Sequence, residues 1–136
     1  LYRDPREQWL SAIAGTPVAP DTGVEAFAAH DRFYLLAWAR DLARVYPFLL
    51  PSAHRTPYAL HYLIWRLSHA HGVRHADVSV AYEGLVADVP ATMGRVLARC
   101  GHARPAEALA PLAALNDPPR AARSPGFAPA AWFDAV

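Results

Sequence analysis

Asp77-Val78-Ser79-Val80-Ala81-Tyr82 is the one stretch of this chain that reads as a β-strand. It is short, β-branched at alternate positions, and bounded by polar or turn-forming residues. A single strand cannot make a sheet, because its N–H and C=O groups need a partner ladder. The chain opens at Leu1, not at a methionine, and a helix signal begins almost at once. It reads as though a preceding strand had been cut away, so the chain is expected to be incomplete.

Outward from this segment the remaining signals are helical. Asp4-Pro5 places an N-cap and a first-turn proline before Arg6-Glu7-Gln8-Trp9-Leu10, and the helix should run to Ala14 with Gly15 as its stop. Thr16 to Thr22, with Pro17 and Pro20, is a loop. From Val24 to Tyr46 the residues Phe27, Tyr34, Leu35, Trp38, Leu42 and Val45 recur at helical spacing, as one long helix or as two broken near His30-Asp31. Pro47, Pro51 and Pro57 bracket an irregular connection, and Tyr58 to His69 is helical again, ending before Gly72. After the strand, Asp88-Val89-Pro90 starts a helix that ends at Cys100 with Gly101 beyond it, and Pro105 to Leu115 is an alanine-rich last helix. Beyond Asn116 the prolines and small residues indicate coil. No internal repeat or second domain is evident.

Composition removes several classes of function. The chain has 136 residues, 54% of them hydrophobic, which is enough for a buried core. Thirteen arginines, with no lysine, face twelve carboxylates for a net charge of +1, so bulk electrostatics give no case for nucleic-acid binding. An anion site must therefore be local. Cys100 is the sole cysteine, which rules out an intramolecular disulfide and suits a reducing, cytoplasmic compartment. No apolar run approaches the ~20 residues that span a bilayer, so no membrane partner is expected.

Two segments carry a resemblance. Arg3-Asp4-Pro5-Arg6-Glu7-Gln8-Trp9-Leu10-Ser11 resembles the stretch of the sulfotransferase family that holds the 3′-phosphate of the donor, 3′-phosphoadenosine 5′-phosphosulfate. There an arginine at a strand end and a serine eight residues later contact the phosphate, and Arg3 and Ser11 stand in those places. The chemistry is sound in itself. A helix N-terminus offers N–H groups and partial positive charge, and an arginine before it adds a forked donor. Tyr82-Glu83-Gly84-Leu85-Val86-Ala87-Asp88-Val89-Pro90-Ala91-Thr92 is similar to the family's Tyr-Glu-Asp-Leu segment, whose tyrosine lies against adenine, although Gly84 replaces the usual aspartate. Arg123-Ser124-Pro125-Gly126 echoes the family's C-terminal arginine loop, which makes Arg123 a further phosphate contact.

The resemblance implies an α/β fold, the C-terminal part of a P-loop-like parallel-sheet domain, predominantly helical here with one strand at about 77–82. A single partial domain would span 1–136, with the phosphate-binding strand end and helix at 1–15, a helical insertion at 23–71, strand and C-terminal helices at 77–115, and a coil tail at 116–136. Because the family sheet is parallel, 77–81 should lie beside a strand ending at Tyr2, running the same way, so that Arg3 and Tyr82 open onto one crevice. The implied reaction moves a sulfuryl group to a hydroxyl or amine of a small-molecule or carbohydrate acceptor. The sulfate-cradling N-terminal half and the catalytic groups are expected upstream of Leu1.

Other readings compete. Arg3 can be a surface arginine, Ser11 a neutral helix residue, and Tyr82 a structural tyrosine, in which case the chain is a non-catalytic helical interaction domain or an inactive relative. The aromatic residues Phe27, Phe33, Tyr34, Trp38, Tyr46, Phe48, Tyr58, Tyr62 and Trp65 read mostly as core, with part of them able to wall an acceptor. His61, His69, His71 and His75 invite a metal, but Gly72 interrupts them and no companion ligand stands at metal spacing, so they read as a solvated helix end and no metal is expected. His30 or His61 could serve as an alternative base, but either also reads as a partly exposed helix residue.

Overall fold

A computed structural model describes residues 1–116 and 132–133. The chain divides into two compact units, one formed by Leu1–Asp4 with His69–Arg123, the other by Pro5–Ser68 with Ser124–Val136.

Trp9 organises the second unit. Helix α1 (Pro5–Ile13) carries it, fully buried, with Ile13 one turn later. Gly15, at φ +72°, ends the run as the proline-to-glycine pattern predicts. Around the Trp9 indole stand the rings of Phe27 (5.8 Å), Phe33 (6.0 Å), Tyr58 (5.8 Å), His61 (5.4 Å) and Trp132 (5.5 Å). Aromatic edges and faces at such distances add to the area they bury. The span 24–46 is broken, not continuous. Helix α2 (Val24–Phe27) tightens into a 3₁₀ turn at Ala28–His30, and α3 (Leu35–Leu42) begins afresh after Tyr34 at φ 62°. Asp31 explains the break, because its two carboxylate oxygens accept from the Leu35 and Leu36 N–H groups at 2.9 and 2.8 Å. The aromatic positions divide accordingly. Phe27 and Tyr58 are buried, whereas Tyr34, Trp38 and Phe48 are exposed.

Helix α4 (Pro57–His75) runs six residues past its expected end at His69 and passes through Gly72. Glycine in a helix costs only about 1 kcal/mol relative to alanine, so an established helix propagates through it.

In the first unit the expected strand is corrected. Residues 77–80 have no assigned secondary structure, Ala81 makes an isolated parallel bridge to Tyr2, and Tyr82 already starts α5 (Tyr82–Ala87). Among the described residues no strand or sheet exists, so the α/β parallel-sheet fold is overturned in favour of an all-helical one. The reason is that a strand is defined by its ladder. Val78 and Val80 have β propensity, but one bridging residue gives them nothing to pair with. The direction and neighbour of the pairing are nonetheless those expected.

Helix α6 (Val89–Arg99) follows the local signals closely. The Asp88 carboxylate caps the Ala91 N–H at 3.0 Å. At the other end His102 N–H reaches Leu97 C=O (2.8 Å) and Gly101 N–H reaches Ala98 C=O (3.1 Å), with Gly101 at φ +76°. This is a Schellman ending, which needs the left-handed residue that glycine supplies. The last helix is shorter than expected. Only α7 (Ala106–Leu109) is α-helical, and Ala110–Leu115 is 3₁₀, because Pro111 has no N–H to continue the α ladder. The coil tail expected at 116–136 lies mostly outside the described residues; within it Trp132 is buried, its ring 5.5 Å from that of Trp9.

Candidate functional site

The site is built on the Tyr2–Ala81 bridge. Tyr2 N–H donates to Val80 C=O at 2.9 Å, and Tyr82 N–H donates to Tyr2 C=O at 2.7 Å. These two bonds fix the segments in parallel, so the residues that follow, Arg3 and Tyr82, emerge at the same end. The Arg3 guanidinium carbon lies 5.1 Å from the Tyr82 ring centroid, a cation–π distance. Both side chains are half-buried. Beneath them the Tyr2 ring meets His69 edge-on at 5.0 Å, which fixes the bridge against α4.

A further contact was not visible in the sequence. Glu83 Oε1 accepts from the Asp4 N–H at 3.2 Å, tying the backbone after Arg3 to the first turn of α5. Nothing local in the sequence couples Glu83 to a residue 79 positions away. Below it, α5 is held to α6 by Thr92, whose hydroxyl donates to Gly84 C=O at 3.2 Å and accepts from Arg95 at the same distance. Chemically the arrangement offers a permanently charged, planar donor beside an aromatic face, suited to a phosphate and a stacked heterocycle.

Ser11 is exposed on α1, within the unit built around Trp9. Arg123 lies outside the described residues. His61 is a core residue. Burial among Trp9, Phe33 and Tyr58 lowers its pKa from 6.5 to about 4, against a smaller opposing effect of its hydrogen bond to the Pro5 backbone. A histidine sealed among rings is poorly placed to act as a base. Among the described residues no group of three or more His, Cys, Asp or Glu could hold a metal, and no helix is long and apolar enough to cross a membrane. Comparison with family models, with curated proteins and with solved structures finds no match to this chain.

Proposed function

We propose that this chain contributes the nucleotide-binding residues of a cytoplasmic sulfotransferase that uses 3′-phosphoadenosine 5′-phosphosulfate as sulfuryl donor. The observation that carries the reading is the placement of Arg3 5.1 Å from the Tyr82 ring at the end of a parallel bridge. Arg3 grips the 3′-phosphate and Tyr82 lies against adenine, with Arg123 as a further phosphate contact. The acceptor is a small molecule or carbohydrate bearing a hydroxyl or amine.

Calorimetry with 3′-phosphoadenosine 5′-phosphate tests it. Arg3→Ala should weaken binding by about 1.5–3 kcal/mol, the range for a charge-assisted hydrogen bond. Adenosine 5′-phosphate, without the 3′-phosphate, should bind equally to wild type and Arg3→Ala. Equal affinity of both proteins for the bisphosphate would remove Arg3 from the site. The chain alone is expected to bind nucleotide without transferring sulfate, since the residues assigned here hold the adenine and the 3′-phosphate and none is assigned to the sulfuryl group.

A second reading, a helical interaction module, draws on the all-helical fold and on the exposure of Tyr34 (68%) and Trp38 (59%), one turn apart at the start of α3. Absence of any nucleotide binding favours it.

A further inference from the structure

The continuation of α4 through Gly72 changes what its last turns can do. With a helix ending at His69, His71 and His75 would stand in a loop without fixed spacing. In the unbroken helix they are four residues apart on one exposed face, where Cβ atoms lie about 5–6 Å from each other. Their rings are nearly parallel, 18° between planes, with centroids 6.3 Å apart. His69 is turned to another side, its ring against Tyr2.

We propose that His71 and His75 form a two-point chelate for a borderline divalent transition-metal ion of the nickel, copper and zinc class. Imidazole nitrogens suit these ions, and two of them on one ion at ~2.0–2.1 Å stand roughly 3 Å apart. Turning the two exposed side chains from the observed stacking brings their ring nitrogens together, and His71 exchanges its present interaction for the ion. The location favours a cation as well, because both imidazoles lie in the last turns of a 19-residue helix, at the negative end of its dipole. Arg74, in the same turn, opposes this charge. No third ligand is grouped with the pair among the described residues, so water completes the coordination and the ion exchanges freely.

The test uses the untagged full chain in a Cys100→Ser background, which removes the only thiol, with Ni²⁺ alone as the probe. Titration should show one site whose affinity falls at least about tenfold in either His71→Ala or His75→Ala, the loss expected when a chelate becomes a single contact. His69→Ala should leave it unchanged, and Arg74→Ala should strengthen it. Gly72→Pro keeps both imidazoles but breaks the helix between them, so it should lose the site too. In nuclear magnetic resonance spectra, paramagnetic broadening should centre on residues 71–77. Undiminished Ni²⁺ affinity in the two histidine variants, or in Gly72→Pro, overturns the proposal, as does broadening centred on other histidines.

Discussion

The unit around Trp9 and the unit that carries Arg3 and Tyr82 reach order by different means. The first is a volume-filling core, in which Trp9, Phe27, Leu49, Leu60 and Pro57 are fully buried and a ring of aromatic side chains closes on one indole. Among its described residues the second buries few side chains, Val89, Thr92 and Leu109, and is held by caps, a Schellman ending and backbone bonds across the Tyr2–Ala81 bridge. Apolar burial is the larger source of stability, whereas hydrogen bonds contribute about 1 kcal/mol each. A polar framework, however, leaves charged and aromatic groups half-exposed and oriented. That is the condition for meeting a ligand, and it is where Arg3 and Tyr82 lie.

Substitutions can break or sharpen this contrast. Trp9→Ala should have the largest effect, about 3–5 kcal/mol, because it opens a cavity at the centre of the aromatic ring of contacts. Urea unfolding followed by near-ultraviolet circular dichroism measures it, and a loss below ~1 kcal/mol would show that the core collapses around the gap.

His61 gives the same core a pH dependence. Its pKa is lowered from 6.5 to about 4 on folding, so between these values the unfolded chain binds the proton and the folded one does not. Stability from this residue is therefore complete above pH 6.5, falls as pH drops from 6.5, and is lost by about 3 kcal/mol once pH reaches 4. The unfolding free energy of wild type minus that of His61→Phe should fall by about 3 kcal/mol as pH drops from 6.5 to 4, whichever protein is the more stable at neutral pH; parallel curves would refute the burial argument.

The polar framework should respond more weakly. Asp88→Ala removes the cap of α6 and should cost about 1 kcal/mol, read in hydrogen exchange of the Ala91 and Thr92 amides. A loss comparable to that of Trp9→Ala would erase the contrast between the units. The smallest effect should be a gain. Tyr34 holds a left-handed φ of 62° with its ring exposed, and Tyr34→Gly should stabilise by up to about 1 kcal/mol. Destabilisation instead would mean that the Tyr34 ring packs more firmly than its exposure indicates.

Helix ends were legible where the signal is local. Asp88 and Gly101 bound α6 as read, because a cap is a bond between near neighbours and glycine alone enters the left-handed region without cost. Gly72 misled, since the same residue type inside a propagating helix is a small penalty and not a stop. Of the candidate site, the residue types at 3 and 82 could be read from the chain, and so could their meeting. The Glu83 bond to Asp4 could not, because the two are distant in sequence.

By itself, then, the sequence determined the helical identity of most of the chain and several of its boundaries, since propensity, proline and caps act over a few residues. Tertiary structure decided the rest. Val78 and Val80 have strand propensity but form no strand, because a ladder requires a partner along its length. Trp132 enters the core and Trp38 does not, although both are apolar tryptophans, because burial depends on what a side chain meets in space. Hydrophobic stabilisation is non-directional, so composition can say that a core forms, while only packing selects which residues fill it.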